Sequence, residues 1–338
     1  MTVAWGIIST ARINRLVLAG AAESDRVDVI AVASREAGRA EAYAREHGIP
    51  RAYGSYEALL ADSDVEAVYI PLPNSLHVEW TTRALEAGKH VLCEKPFSRR
   101  AEEVERAFEL AESAGLVLSE GFMFRHHPQT AKLAELVVEG AIGRLRLVRA
   151  AFSFQLAAVH GPSDARFRPE LDGGSLMDVG CYCVNGIRFL AGEPARVYGE
   201  QVIGETGVDV CFAATLCCRD DVVAHFDCGF VLPSRAALEV VGEEATLMLA
   251  DPWHVRSPGI DLVRETGSER VPVERANSYR FELQNVGDAI RGVAPLLLGR
   301  GDAVGQARTL EALYRSANAA EAVELELTSV PSTRGSAS

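Results

Sequence analysis

A lysine at the end of an apolar strand is the residue of this chain best placed to do chemistry. Lys95 follows the apolar run 90–93 and Glu94, and Pro96 comes directly after it. Because proline disfavours the helical region for the residue before it, we expect Lys95 to be extended at the last position of the strand. In an open α/β sheet that position faces the ligand crevice. The tripeptide alone is more typical of a solvated lysine at a rim, although burial tunes lysine pKa values readily.

A second group of polar side chains follows the pair Gly173-Gly174. Asp178, Tyr182 and Asn185 are spaced i, i+4 and i+7, so a helix would place them on one face. A carboxylate, a phenol and an amide are suited to holding a polyhydroxy substrate and moving its proton. A solvated helix face with a Tyr–Asp hydrogen bond is an equally good interpretation of this spacing alone.

The first strand, Val3–Ile8, leads into a turn that could hold a dinucleotide. Such a turn is usually built from glycines, and here Ser9, Ala11 and Asn14 replace them. Backbone amides at the start of the following helix can still face a pyrophosphate, although an ordinary strand-to-helix turn explains the pattern about as well. The predicted pyrophosphate site consists of Ser9, Thr10, Ala11, Arg12 and Ile13.

The second strand ends at Ser34-Arg35, where an enzyme selective for NAD would carry an acidic residue for the ribose hydroxyls. A hydroxyl and a guanidinium suit a 2′-phosphate instead, so we predict NADP, with NAD as the alternative. A serine that caps the next helix is the structural alternative.

Two later strand ends bring polar groups to the same edge of the sheet. From these ends we add further residues to the predicted cofactor site: Pro71, Leu72, Asn74, His77, Glu94 and Lys95. Arg125 and His127 could line the substrate side, together with Asp178, Tyr182 and Asn185. Adjacent histidines point in different directions and the cysteines form no spaced pairs, so we predict no metal.

The elements needed to position these groups can be predicted from the pattern of apolar residues. Up to residue 122, short β-branched runs alternate with amphipathic helices, which predicts a parallel, doubly wound Rossmann sheet. The predicted strands are Val3–Ile8, Val27–Ala33, 65–70, 90–93 and 117–120, and the predicted helices are 12–22, 36–47, 55–61, 75–87 and 100–114.

After residue 130 longer alternating strands separated by turn signals predict an open, mostly antiparallel sheet in an α+β domain. The predicted strands are 144–156, 195–203, 208–218, 222–231, 235–241 and 245–249, and the predicted helices are 130–139, 175–191, 279–292 and 303–320. We therefore predict a nucleotide domain at 1–122, a substrate-binding and oligomerisation domain at 123–330, and a disordered tail at 331–338.

The composition and net charge indicate which kinds of binding partner this chain is suited to. The chain has 338 residues, and 34 Lys and Arg against 47 Asp and Glu give a net charge of −13, which argues against nucleic acid or an anionic membrane as partner. No apolar run approaches the ~20 residues of a membrane span. Seven cysteines are an odd count that fits reduced thiols, so we predict a cytoplasmic protein.

In order along the chain, these motifs resemble those of the glucose–fructose oxidoreductase / inositol dehydrogenase family. The specific elements are Glu94-Lys95-Pro96 and the Asp-x-Gly-x-Tyr pattern at 178–182. The resemblance implies a Rossmann domain followed by an open-faced α/β domain and NAD(P)-dependent hydride transfer to or from a sugar-like substrate. It also implies a homodimer or homotetramer built through the open sheet face.

By this resemblance Lys95 is the catalytic lysine, and Asp178 and Tyr182 are acid/base and orienting groups on the substrate side. Tyrosine at position 182 resembles the branch with NADP-dependent xylose dehydrogenases, dimeric dihydrodiol dehydrogenases and keto-sugar reductases. Two alternatives stay open at this point: a glycosidase of the same fold that uses tightly held NAD, and a cofactor-binding sensor without turnover.

The proton carrier is either Tyr182 or Lys95. A lysine near a cationic nicotinamide, and a tyrosine beside an ammonium, should both have lowered pKa values. We favour Tyr182 as the direct proton donor and acceptor, with Lys95 lowering its pKa and polarising the reacting oxygen. The reverse assignment is the alternative.

Overall fold

Six short apolar strands pair in parallel to form the first sheet of the computed structural model, which describes residues 1–326. They are β1 (Val3–Ile8), β2 (Val27–Ala33), β3 (Arg51–Tyr53), β4 (Ala67–Ile70), β5 (His90–Glu94) and β6 (Leu118–Gly121). Their order is β3-β2-β1-β4-β5-β6, which confirms the predicted doubly wound sheet and adds the short strand β3. Because the order reverses between β1 and β4, a crevice opens at their carboxyl ends.

Five helices connect these strands and cover both faces of the sheet. They are α1 (Asn14–Ala22), α2 (Ala37–His47), α3 (Tyr56–Leu60), α4 (His77–Glu86) and α5 (Ala101–Ser113). In α5 the buried residues Ala101, Val104, Phe108 and Ala111 recur at helical spacing, so one stripe faces the sheet. Gly48 ends α2 at a φ of 68°, a conformation that glycine adopts without a steric penalty.

Nine strands form the second sheet. They are β7 (Leu145–Ser153), β8 (Arg196–Ile203), β9 (Asp209–Cys217), β10 (Val223–Gly229), β11 (Arg235–Gly242), β12 (Thr246–Leu249), β13 (Ile260–Arg264), β14 (Gly267–Val271) and β15 (Val323–Glu324). Their order is β14-β13-β12-β11-β7-β10-β9-β8-β15, and every pair is antiparallel except β7 with β10. The mostly antiparallel prediction is confirmed. Strand β13 and the edge strands β14 and β15 were not predicted, because their short and partly polar sequences lack a clear alternation.

The helices of the second half are α6 (Pro128–Val138), α7 (Leu156–His160), α8 (Cys181–Ala191), α9 (Ser278–Ile290) and α10 (Arg300–Ala319). A helix was predicted over 175–191; the structure has a π-helical turn, Leu176–Gly180, followed by α8. Helices α8 and α10 cover one face of the large sheet, whereas residues of the opposite face such as Ala213 and Thr215 are exposed.

The closing helices also contact the first half of the chain. Helix α9 packs against α1, and α10 packs against α5. The division into 1–122 and 123–330 stays a prediction, and the tail 331–338 lies outside the described residues. Within residues 1–326, no helix is long and apolar enough to cross a membrane.

Candidate active site

The turn after β1 keeps a glycine-like backbone without glycine. Ser9 has a φ of 110°, in the region that favours glycine. The buried side chain of Asn14 donates from Nδ2 to the carbonyl oxygen of Ser9 at 2.9 Å. Ser9 N also donates to Ala33 O at 3.0 Å, which holds the turn against β2. Asn14 therefore braces the turn that the sequence showed only as a substituted glycine motif.

A cavity of about 710 Å³ opens at the carboxyl ends of the first strands. Seven residues predicted for the cofactor site line it: Ser9, Thr10, Ala11, Ser34, Arg35, Pro71 and Leu72. Ten further lining residues were not predicted, among them Arg39, Tyr56, Trp80 and Arg168. Within residues 1–326, neither Arg35 nor Arg39 has a hydrogen-bond or ion-pair partner, so two guanidiniums face a cavity without a counter-ion. Such a cavity fits an anion.

Two other predicted cofactor residues bind a segment of the second domain, residues 154–174, which we name the covering segment. Arg12 is exposed and lies 2.9 Å from His160 Nδ1 and 3.3 Å from Asp164 Oδ2. Asn74 donates to the carbonyl oxygen of Asp172 at 2.9 Å. The covering segment therefore lies across the mouth of the crevice.

Ile13, another predicted cofactor residue, is the N-terminal cap residue of α1.

Buried side chains fix the loop that follows Lys95. His77 is fully buried, with Nδ1 2.9 Å from Pro96 O and Nε2 2.8 Å from Leu72 O. Glu120 accepts from Phe97 N at 2.8 Å, and burial raises the pKa of this carboxyl to about 8. His77, predicted as a cofactor residue, thus ties two strand-end loops together from beneath the cavity.

Lys95, in the first domain, contacts Asp178, in the second domain. Its Nζ donates to Asp178 O at 2.7 Å and to Asp178 Oδ1 at 3.1 Å. The neighbouring Glu94 accepts from Tyr69 Oη at 2.5 Å, and burial raises the pKa of Glu94. Strand β5 and the π-helical turn thus bring together two of the three predicted catalytic residues.

Tyr182, the third predicted catalytic residue, lies beneath this pair. Lys95 Nζ is 4.7 Å from the centroid of the Tyr182 ring, a cation–π arrangement. The ring is 7% exposed and packs edge-on against Phe122 and Phe152. Its hydroxyl has one hydrogen-bond partner in the described chain, the thioether of Met123 at 3.8 Å, so it remains free for a stronger partner.

The charges of the site shift its pKa values in a direction that sequence reasoning got wrong. Burial lowers the pKa of Lys95, but the charges of Asp178 and Glu94 outweigh burial and raise it overall. Burial raises the pKa of Asp178, but the charges of Lys95 and Arg166 outweigh it and lower the value to about 2. Burial raises the pKa of Tyr182. The sequence-based expectation of lowered pKa values omitted the carboxylate beside the lysine and the burial of the tyrosine.

The other predicted substrate residues lie apart from this cluster. Arg125 donates to Asn185 Oδ1 at 3.0 Å and to Asp302 Oδ1 at 3.3 Å, inside a buried network. Asn185 is fully buried in α8, where its Nδ2 donates to Asp302 Oδ2 at 3.3 Å. His127 is also buried, and its Nδ1 accepts from Gln129 N at the start of α6. All three predicted side chains therefore form hydrogen bonds with other parts of the chain.

Two residues beside the cluster were missed. Arg166, in the covering segment, donates to Asp178 Oδ2 at 3.0 Å and also binds Asp164. His254 is half-buried, and its ring lies 5.4 Å edge-on from that of Phe152, which in turn contacts Tyr182. The imidazole of His254 has no hydrogen-bond partner within residues 1–326. Arg166 lies in the short helical turn Ala165–Phe167 and His254 lies in a loop, and neither segment is long enough for a periodic pattern to indicate the direction of a side chain.

Comparison with known proteins identifies the class to which this fold and site belong. Residues 3–122 match the model of an oxidoreductase family with an NAD-binding Rossmann fold, and residues 130–248 match the C-terminal domain of the same GFO/IDH/MocA family. The chain belongs to this family of oxidoreductases, as its motifs predicted.

Individual relatives cover most of the chain. D-xylose 1-dehydrogenase (NADP(+)) 2 of Haloferax volcanii is 38% identical over 95% of this chain and 99% of its own. A dTDP-3,4-didehydro-2,6-dideoxy-α-D-glucose 3-reductase of Streptomyces violaceoruber is 43% identical over 75% of each chain. A 3-ketoreductase from Actinomadura kijaniata, solved with NADP and TDP-benzene, superposes with a TM-score of 0.87 at 29% identity, covering 94% of this chain and 98% of its own.

Proposed function

We propose that this protein is an NADP-dependent oxidoreductase that transfers hydride between the nicotinamide and a carbon of a sugar or sugar-like compound. The observation that carries the proposal is the Lys95–Asp178–Tyr182 cluster, which lies at the same sheet edge as the anion-binding cavity. In a doubly wound sheet this edge holds the dinucleotide. An aldose, a cyclic polyol or a keto-sugar would enter from the side of the second domain.

The cavity fits NADP in its chemistry. Small side chains at Ser9 and Ala11 leave the backbone of the turn accessible to a pyrophosphate. The unpaired guanidiniums of Arg35 and Arg39 suit a 2′-phosphate, and no acidic residue ends β2 to bind ribose hydroxyls. When bound, the nicotinamide supplies or accepts the hydride. The names of the Haloferax dehydrogenase and of the Actinomadura structure both include NADP, which supports this choice.

The residues of the cluster transfer the proton and stabilise the charge that hydride transfer requires. At neutral pH Tyr182 is a neutral phenol, because burial raises its pKa, and its hydroxyl can give a proton to a carbonyl oxygen during reduction. Lys95 is charged and can stabilise negative charge on the same oxygen. Asp178 holds the ammonium in place. In the oxidising direction Tyr182 first releases its own proton to solvent, and the phenolate, stabilised by the charge of Lys95, then accepts the proton of the substrate hydroxyl.

The experiment is a substrate panel followed through NADPH absorbance at 340 nm. Purified protein is mixed with NADP⁺ and aldoses or cyclic polyols, or with NADPH and keto-sugars, with Lys95→Ala as the matched control. We expect turnover that depends on Lys95 with at least one class. Cleavage of a glycoside included in the same panel, without net reduction and with NAD retained through purification, would instead identify a glycosidase. Tight nucleotide binding without turnover on the whole panel would identify a sensor.

The open face of the second sheet supports assembly into a homodimer or homotetramer. This face carries a shallow depression of about 920 Å³ with Ala213, Thr215, Ala237 and Met248 among its lining residues. The lining also contains charged residues such as Arg149, Asp227 and Arg235, and interfaces between copies combine apolar contacts with a polar rim in this way. Light scattering after size exclusion tests this: Ala237→Arg should lower the mass, whereas Val138→Arg, at an exposed site on α6, should not. An unchanged mass for Ala237→Arg would place the interface elsewhere.

A further inference from the structure

The covering segment ends in a tight turn that requires glycine, and contacts from Asn74 and Arg100 hold it to the nucleotide domain. A Cβ atom on Gly173 would lie 2.4 Å from Arg166 O, and Gly174 has a φ of 123°, so this tight turn requires glycine. Asp172 is bound through its carbonyl oxygen by Asn74, and its carboxylate lies 3.8 Å from Arg100. The segment therefore presents a defined surface to the cavity.

One cationic side chain of this segment forms part of the cavity wall. Arg168 lines the same cavity as Ser34, Arg35 and Arg39, although it comes from the other domain. The neighbouring Leu171 also lines it, and the short helical turn that contains Leu171 packs against the turn Asn74–Leu76. The cavity is thus lined by both domains, and its cationic groups come from both.

The charge balance of this cavity is incomplete. Arg168 pairs with Glu170 at 2.7 Å, but the two side chains are 56% and 58% exposed, so the pair is weak. Glu57, an acidic residue in the lining, forms an ion pair with Arg83, in which a guanidinium nitrogen lies 2.9 Å from Oε1. Arg35 and Arg39 have no counter-ion in the described chain. Three guanidiniums therefore line one cavity, and within residues 1–326 no carboxylate pairs with Arg35 or Arg39.

We propose that Arg168 binds the 2′-phosphate of NADP from the second domain and so contributes to the choice of NADP over NAD. The guanidinium exchanges its exposed partner Glu170 for phosphate oxygens, which are stronger acceptors. Phosphate held by Arg35 on one side and Arg168 on the other then joins the two domains. This inference rests on the proposed cofactor and assigns a specificity role to a residue outside the Rossmann domain.

Isothermal titration of the intact protein with NADP⁺ and with NAD⁺ measures this role without turnover. Arg168→Ala should raise the Kd for NADP⁺ roughly threefold to tenfold, as for a partly exposed charge-assisted contact, and leave the Kd for NAD⁺ unchanged. Glu170→Gln removes the competing carboxylate and should tighten NADP⁺ binding. Arg106→Ala is the matched control, an exposed arginine paired with Glu102 on α5.

The outcomes separate this inference from the cofactor assignment. Equal losses for both nucleotides in Arg168→Ala would overturn it, because the contact would then involve a group that NAD shares. Unchanged affinity for both would overturn it too, with Arg35→Ala in parallel showing whether the 2′-phosphate is bound by the first domain alone. A wild-type protein that prefers NAD⁺ would refute the cofactor assignment itself. Circular dichroism of each variant excludes loss of fold as the cause.

Discussion

Lys95 and Asp178 form an ion pair that connects the strand end of the first domain to the π-helical turn of the second. Nζ donates to both the main-chain carbonyl and the carboxylate, at 2.7 and 3.1 Å, and the two side chains are 11% and 16% exposed. Removing one partner of such a pair leaves a buried charge, which costs about 3–5 kcal/mol. The contact between the domains and the protonation state of the lysine therefore depend on the same carboxylate.

We predict that Tyr182→Phe and Lys95→Ala each lower kcat by roughly 10²–10⁴, the range for loss of a general acid or base. The hydroxyl of Tyr182 supplies the proton and Lys95 stabilises the oxygen, so NADP⁺ affinity should stay nearly constant in both. Steady-state kinetics and titration with NADP⁺ check both effects. Tyr198→Phe is the matched control, because that hydroxyl binds Glu200 on the open sheet.

Different results would assign the roles differently. Near-normal turnover in Tyr182→Phe with an inactive Lys95→Ala would make the tyrosine a substrate contact and the lysine the acid/base. If both variants remained active, the cluster would not be the catalytic site.

Asp178→Asn should move the alkaline limb of the pH–kcat profile to lower pH. Without the carboxylate, burial dominates and the pKa of Lys95 falls. The ammonium is then lost as pH rises through that lower pKa, so activity should decline at least about one pH unit earlier than in the wild type. Because the wild-type pKa of Lys95 is raised above its ordinary value, profiles from pH 6 to 10.5 should show the lysine-dependent fall in activity in the variant and not in the wild type. An unmoved alkaline limb would show that the charge of Lys95 does not limit turnover.

Arg35→Ala should weaken NADP⁺ binding by about 1.5–3 kcal/mol, as expected for loss of a charge-assisted hydrogen bond. The Kd for NAD⁺ should not change, because NAD lacks the 2′-phosphate. Fluorescence titration is suitable, since Trp80 lines the same cavity. Equal losses for both nucleotides would mean that Arg35 does not bind the phosphate.

His254→Ala should raise KM for the sugar-like substrate by roughly twofold to tenfold, as for one neutral hydrogen bond, with kcat within about threefold of wild type. The reason is that the imidazole, which has no hydrogen-bond partner within residues 1–326, lies beside Phe152, and Phe152 contacts Tyr182. NADP⁺ affinity should be unchanged. His47→Ala, at the end of α2, serves as control. A fall in kcat with constant KM would contradict a binding role.

Much of the fold could be predicted because its signals are local. The alternation of short strands and helices indicated the parallel sheet, and alternating strands after residue 130 indicated the antiparallel sheet. Lys95 could be placed at a strand end because Pro96 restricts the residue before it. The strands β13 and β14 escaped prediction, since their pairing, as between Ile260 and Val271, depends on neighbouring strands rather than on their own sequence.

The candidate site was predicted in part for the same reason. Ser34 and Arg35 line the cavity because they end a strand, which is a local property. The helical spacing of Asp178, Tyr182 and Asn185 could not show that the first of them lies in a π-helical turn, nor that Asp302, 117 residues from Asn185, binds the amide. No spacing rule contains that distant partner.

By itself, the sequence determined the family, the two sheet types and the residues Lys95, Asp178 and Tyr182, because motifs and periodicity are properties of neighbouring residues. Only the tertiary structure decided the pKa directions, which depend on the distance from Lys95 to Asp178 across two domains. It also decided that Arg168 of the covering segment shares a cavity with Arg35. Contacts of this kind form when the chain folds back on itself, so their partners cannot be inferred from local sequence.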